Sequence, residues 1–374
     1  MKKHILFYSL VATMLASCSK NDDSTPQPEP TPPAVVEKGG IFKPTVGGPN
    51  EPNQVFVDLS TKTESYVKRD SWDFGFYCGD DFRVILNSTI KMAAKPLETT
   101  NIDEIQTEDA KVAVGFTTSA TLGYVDSPWG ELKSPTNTKG RQTAIAEISA
   151  TDSDNKVYLV NMGYEVGTTT PKTGGTALDG NARGWKKIRV TRNGNDYVLQ
   201  YADLADTTHK TITIKKSSAY NFTFVSLSSG STIQVQPEKT KWDISFTGLT
   251  NYTATAEPAT LENSITYYFA DMVITNLHGN TRAQIINTTA ENRDKEYKEY
   301  SKAKASEINF DDASLANQLV IGSSWRNTFG GKLIDTVFYV IKDADGNLYK
   351  LKFLDFKNEK GERGYPVFEY ELLQ

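Results

Sequence analysis

The sequence predicts an all-β protein of layered antiparallel sheets, built as two tandem diverged β units with at most one short surface helix. Three observations carry this prediction. The chain holds 18 Tyr, 17 Phe and 5 Trp, and with its abundant Thr, Val and Gly this composition favours pleated strands. Phe56-Val-Asp-Leu-Ser60 leads to Trp72-Asp-Phe-Gly-Phe76, and Phe224-Val-Ser-Leu-Ser228 leads to Trp242-Asp-Ile-Ser-Phe246. Each pair reads as a strand, a polar turn and a strand carrying Trp-Asp. A second echo aligns the stretch from Asn193-Gly194 to Leu204 with that from Asp345-Gly346 to Phe356. Two echoes in the same order mark a duplication, with units expected at 41–218 and 219–374.

Before the first unit, Lys2 and Lys3 precede an apolar run from Ile5 to Ala16 that ends in Leu15-Ala-Ser-Cys18. A basic start, an apolar stretch too short to span a bilayer and small residues before a cleavage point define a secretory signal over 1–17. Leucine and two small residues directly before cysteine resemble the bacterial lipobox, which implies that Cys18 carries lipid, palmitate included, and becomes the new N-terminus. The alternating prolines Pro26, Pro28, Pro30 and Pro32 make residues 18–40 a semi-rigid spacer. Asp22-Asp23 resembles the acidic export tag of surface lipoproteins in the Bacteroidetes. The expected location is therefore the outer membrane, lipid-anchored and facing outward, with membrane contact through lipid alone.

Cleavage removes Lys2 and Lys3, so the formal charge moves from −5 to −7. A mildly acidic chain with scattered Lys and Arg has no footprint for nucleic acid. Only Cys78 remains as a thiol, which excludes a disulfide or a cysteine metal framework.

Along the first unit, Trp72, Phe74, Phe76 and Cys78 alternate with Asp73, Gly75 and Tyr77, so one strand face carries the aromatics and Cys78 is a small core residue. Phe82–Leu86 and Val112–Phe116 read as strands. Val157–Val160 follows the turn Asp152–Asn155 in hairpin style. Gly167–Gly184 is a Thr- and Gly-rich loop without periodicity. Trp185 opens a strand through Thr191, which turns at Asn193-Gly194 with positive φ expected at both turn positions. Tyr197, Leu199 and Tyr201 then share a face, and Thr208–Lys215 closes the unit with Ile212 and Ile214 inward.

In the second unit, Tyr267–Thr275 is a continuous apolar strand. Ala290–Ser306 is the helical segment, with i,i+4 charge pairs Asp294/Lys298 and Lys295/Glu299. Its thin stripe of Tyr297, Tyr300 and Ala303 predicts a solvated surface helix or a mobile loop. Trp325 precedes the loop Arg326–Lys332. Val337–Ile341, the Asp345-Gly346 turn and Leu348–Phe356 form a hairpin, and Tyr365–Leu372 is the closing strand. Trp72, Trp242 and Trp325 are read as structural, since a large aromatic held at one repeat position normally packs.

Trp242-Asp-Ile-Ser-Phe246, Trp325, Val337-Phe-Tyr-Val340 with Asp345-Gly-Asn347, and the final aromatic strand resemble the HmuY family, lipoproteins of the Bacteroidetes associated with haem capture. The resemblance covers 221–374 and extends over 54–216 as a diverged copy, with Asp81–Asn87 also in the family's style. It implies an all-β fold, no enzymatic activity, haem or another tetrapyrrole as ligand and a TonB-dependent receptor as partner. Family members hold iron between two axial side chains, usually His or Met, from the region before the Trp325-like residue and the loop after it. Here neither Glu291–Gln318 nor Arg326–Lys332 contains His or Met. Axial ligands would have to be recruited from His209 and His278, the two histidines beyond the signal segment, with Phe329 able to pack on a porphyrin. Met92, Met162 and Met272 read as core filler. The alternative is a surface lipoprotein on the same scaffold that binds a glycan, peptide or protein partner.

Enzyme signatures do not appear. Asp343-Ala-Asp-Gly-Asn347 lacks the Gly and Glu that a calcium loop needs at its sixth and twelfth positions, where Leu348 and Leu354 stand, so it is a hairpin turn. There is no nucleophile elbow, phosphate loop or HExxH.

Overall fold

A computed structural model describes residues 36–115, 124–126, 143–254, 264–311 and 318–374. The signal segment, Cys18, most of the spacer and Phe116 lie outside the described residues. Residues 36–374 form one compact unit. In chain order the first half holds β1 (Gly39–Phe42), β2 (Asn53–Asp58), β3 (Thr63–Lys68), β4 (Phe74–Tyr77), β5 (Val84–Leu86) and β6 (Ala93–Pro96). It continues with β7 (Val157–Asn161), β8 (Tyr164–Val166), β9 (Asp179–Ala182), β10 (Trp185–Asn193), β11 (Asp196–Asp203) and β12 (Lys210–Ile214). The second half holds β13 (Phe222–Ser226), β14 (Ser231–Ile233), β15 (Ile244–Ala254), β16 (Ser264–Thr275) and β17 (Arg282–Asn287). After α1 (Arg293–Glu299) and α2 (Lys302–Ser306) come β18 (Arg326–Asn327), β19 (Lys332–Leu333), β20 (Val337–Lys342), β21 (Leu348–Lys357) and β22 (Arg363–Leu372).

The architecture is all-β, antiparallel throughout, and its topology repeats. One five-stranded sheet runs β6-β7-β10-β11-β12, and its counterpart runs β17-β20-β21-β22-β1. Two four-stranded sheets run β14-β13-β4-β5 and β3-β2-β15-β16. Replacing each strand by its equivalent turns one four-stranded sheet into the other. Both Trp-Asp segments therefore occupy equivalent places, and each copy's opening hairpin pairs with the other copy's Trp-Asp strand. Val225 faces Phe74 across the β13–β4 ladder, and Val57 faces Ile244 across the β2–β15 ladder. The backbone hydrogen bonds thus cross the expected boundary at 218/219.

The same topology corrects the second echo. β11, which follows Asn193-Gly194, lies fourth from β6, whereas β21, which follows Asp345-Gly346, lies third from β17. The equivalent of the β10–β11 turn is the one joining β21 to β22. Meander strands share spacing and aromatics, so a shift of one strand still aligns. Near the Asn193 turn only Gly194 has positive φ, at 61°, and Asn193 pairs with Asp196. The turn centres on Gly194-Asn195, and glycine supplies the one left-handed position.

Two large cores fill the molecule, each completed by the other half's opening hairpin through Val225 and Leu227 in one and Val55, Val57 and Leu59 in the other. Phe74, Phe76, Tyr158, Val160, Ile188, Tyr197, Leu199, Tyr201 and Ile214 fill the first. Ile244, Phe246, Trp325, Tyr339, Tyr349, Phe353, Phe368 and Tyr370 fill the second. Met92 and Met162 are buried in the first core, and Met272 is 4% exposed. β20 is buried on both faces because Tyr339 and Ile341 face that core while Phe338 and Val340 meet the helical segment. That segment is a surface helix and not a loop, exposed along most of its length but anchored by one buried face. It breaks at Tyr300, restarts with Ser301 as N-cap, and buries Tyr297 edge-on against Phe338. Ala305, not Ala303, completes the buried stripe.

Five further expectations change. Trp72 precedes β4, so strand alternation does not reach it, and it packs away from Phe74 and Phe76. Cys78 is half-buried, its sulfur 3.4 Å from the Thr223 hydroxyl and accepting from the Ser217 amide. Val112–Gly115 forms no strand, and Asp152–Asp154 is a 3-10 turn. Within the Gly167–Gly184 loop, β9 pairs with β8, while Thr176 and Ala177 bond the Pro49 carbonyl.

Candidate functional site

The two Trp-Asp corners are built from the same hydrogen bonds. The amide of Asp73 donates to Val225 and that of Asp243 to Val57, each at the other copy's opening strand. The Asp73 carboxylate accepts from the Leu227 amide at 2.6 Å, and the Asp243 carboxylate from the Leu59 amide at 2.8 Å. The amides of Asn87 and Asn276 donate back to the Asp73 and Asp243 carbonyls. Their side chains donate at 2.7 Å to the Trp72 and Trp242 carbonyls and cap the 3-10 turns Ser88–Ile90 and Leu277–Gly279. Both turns end on a left-handed residue, Lys91 and Asn280.

The rings meet crosswise. Trp72 stands edge-on against Phe224 at 4.9 Å, and Trp242 against Phe56 at 5.1 Å. With Phe222 and Val235 they form a cluster where the two copies join. The tryptophans are 3% and 4% exposed.

The corners differ in charge and polarity. Asp73 is ion-paired with Arg183 at 2.8 Å. Among the described residues no arginine pairs with Asp243. Burial pushes it up to about 7, with Asp58 and Asp343 adding to the rise, against the bonds from Leu59 and Thr281. The Trp72 indole N–H donates to the Gln54 side chain at 3.2 Å. The echo that aligns Phe56 with Phe224 puts Phe222 at the place of Gln54, and the Trp242 indole N–H has no partner among the described residues.

A cavity of about 120 Å³ lies at this junction, walled by Trp72, Trp242, Phe222 and Phe224 and edged by Gln54, Gln236 and Thr275. Asp126 and Arg83 also line it. The Asp126 carboxyl accepts from the Leu86 and Ala144 amides at 2.7 and 2.8 Å, and burial pushes it up to about 7 against those bonds. Arg83 is ion-paired with Glu147 at 3.0 Å.

The structure does not bring the two histidines together. His278 sits in the 3-10 turn that Asn276 caps, its ring 4.9 Å from Tyr77 and 5.6 Å from Phe222, on the wall of the junction cavity. His209 lines a different cavity. Its Nδ1 is 3.0 Å from Asp103 and its Nε2 3.0 Å from the Gln200 amide nitrogen. Phe329, at the tip of the β18–β19 hairpin, is fully exposed. Trp325 is buried and stacks on Phe353 at 4.3 Å. Next to it Arg326 and Arg363 both grip Asp271. Burial alone would raise Asp271, but the two guanidinium groups overcome it and hold the carboxyl below its usual range.

A haem clamped between two axial ligands does not fit these residues. Both nitrogens of His209 are engaged, and His278 lines a separate space. That space is also small against the roughly 300–1,000 Å³ of pockets that enclose ligands of drug size. Among the described residues, no group of three or more His, Cys, Asp or Glu could hold a metal ion.

Sequence reasoning missed Gln54, Gln236 and Asn276. The Asn87/Asn276 pair carried a signal, an Asn after the strand that follows Trp-Asp, but β16 is much longer than β5 and hides the match.

No curated protein matches the chain in sequence. A structure search finds the apo form of an HmuY analog from Tannerella forsythia, at 10% identity and a TM-score of 0.22, over 91% of this chain and 98% of that one. The family model described as HmuY protein matches residues 50–211 and again 218–370. The two matches span most of the chain, one per copy of the Trp-Asp corner, and the chain belongs to the HmuY family.

Proposed function

We propose that this protein is a surface lipoprotein of the outer membrane that works by holding a ligand, without catalysis. The aromatic-walled cavity at the junction of the two copies carries this reading. It offers rings and uncommitted polar atoms, while the Arg83 charge on its wall is balanced by Glu147 and the Asp126 carboxyl accepts backbone amides. Aromatic walls suit binding by stacking and burial. The Leu15-Ala-Ser-Cys18 motif supports anchoring. Cys18→Ala should abolish incorporation of labelled palmitate and leave the precursor uncleaved, and a processed, lipid-free form in wild-type cells would refute the anchor.

The ligand is a glycan, a peptide or a partner such as a TonB-dependent receptor, rather than a haem held between two axial side chains. One observation favours a second reading, in which the tetrapyrrole typical of the family is taken up through a single histidine. His278 stands between two aromatic rings on the cavity wall. Haemin titration separates the two. The first reading expects a broad spectrum like that of free haemin at every ratio. A sharpened, saturable Soret band that disappears in His278→Ala would establish the second.

A further inference from the structure

We infer that the junction cavity is a binding site for a single uncharged heteroaromatic ring that carries a hydrogen-bond acceptor and a donor. The inference deepens the binding reading above and rests on it. The ring size follows from volume. An engineered apolar cavity of about 150 Å³ takes benzene, and this one measures about 120 Å³. A flat ligand follows from the aromatic lining, since Trp72, Trp242, Phe222 and Phe224 all border the space and rings pack well on rings.

The polar requirement follows from atoms without hydrogen-bond partners among the described residues, and besides the Arg83 Nε–H three of them belong to neutral side chains on the wall. They are the Trp242 indole N–H, the Gln236 side-chain carbonyl and the Thr275 hydroxyl, on residues 4%, 8% and 2% exposed. A buried donor or acceptor left unpaired is costly. The sister corner shows how the cost is avoided, since Trp72 is satisfied by Gln54. In the second copy phenylalanine replaces that glutamine, which removes the internal acceptor and adds a ring to the wall. A ligand acceptor at the Trp242 N–H and a ligand donor at Gln236 complete the set. A charged ligand is disfavoured, because Glu147 already balances the Arg83 charge through its terminal nitrogen, although the Arg83 Nε–H is unpartnered among the described residues, and both oxygens of Asp126 accept backbone amides.

The competing occupant is water, about four molecules at roughly 30 Å³ each. The test uses 2-pyridone, a single ring with one acceptor and one donor, followed by saturation-transfer NMR on the purified full-length mature protein. Saturable binding in the millimolar range is expected. Trp242→Phe keeps a ring and removes the N–H, and Gln236→Leu removes the acceptor. Each should weaken binding about fivefold, the value of one hydrogen bond. Ile85→Trp, which fills the cavity from its wall, should abolish it. No saturable binding by wild type, or equal affinity in Trp242→Phe and Gln236→Leu, overturns the site. So does a crystal soaked in pyridone that shows only waters on Trp242 and Gln236. Circular dichroism confirms that each variant is folded, and Gln236→Leu decides the matter should Trp242→Phe fail to fold. A haemin Soret band bears on the preceding reading alone, so the two failures are distinguishable.

Discussion

At the scale of single residues, the Trp-Asp corner does two jobs with adjacent side chains. The indole supplies buried area at the junction, and the carboxylate receives the amide of the incoming hairpin. Trp242→Ala removes a ring that is 4% exposed and packed against Phe56. It should cost about 3–5 kcal/mol, read as a lower midpoint in denaturant unfolding. An unchanged midpoint would mean that the ring serves ligand rather than core. The tryptophans stand out in the sequence because each precedes an apolar strand in both copies. The partners of their indole nitrogens do not stand out, because Gln54 and Phe222 become comparable only once the two opening strands are superposed.

At the scale of elements, the opening hairpins are exchanged. β2–β3 completes the sheet of β15–β16, and β13–β14 completes that of β4–β5. β1 takes beside β22 the place that β12 takes beside β11. Separately expressed 36–217 and 218–374 would each expose an unpaired strand edge and half of the aromatic cluster. Each half alone should be unfolded or aggregated by circular dichroism and gel filtration, and co-expression should restore a soluble one-to-one complex. Two independently folded monomers would disprove the exchange. The element most misjudged from sequence is the helical one. Its apolar stripe is thin because Tyr297, Tyr300 and Ala305 share the cover of Phe338 and Val340 with Phe310, which lies beyond the helix. The uninterrupted apolar run of β20 already required a cover on both faces.

At the scale of the whole molecule, stability depends on pH through carboxyl groups far from their usual range. Burial pushes Glu51 up to about 8, with Asp271 adding to the rise, and pushes Asp243 and Asp126 each up to about 7. In the unfolded chain such groups titrate near 4. Between those values the folded state binds more protons than the unfolded state, so stability falls as pH rises from about 4 through 8. Asp271, held low by its arginines, contributes the opposite way and loses its contribution only in stronger acid. The melting temperature should fall between pH 5.5 and 8.5, and Glu51→Gln with Asp243→Asn should reduce that fall, leaving the part due to Asp126. A wild-type curve already flat across the range would refute the assignment.

By itself the sequence determined that the chain is all-β, that it is duplicated and that it belongs with the HmuY family, because alternation, turn residues and repeated motifs are local in the chain. Only the tertiary structure decided which strands pair across the duplication, where the second echo truly falls, and that His209 and His278 line separate cavities. Strand pairing and cavities arise between segments far apart in the chain, and no local pattern encodes which of several similar edges a hairpin will join.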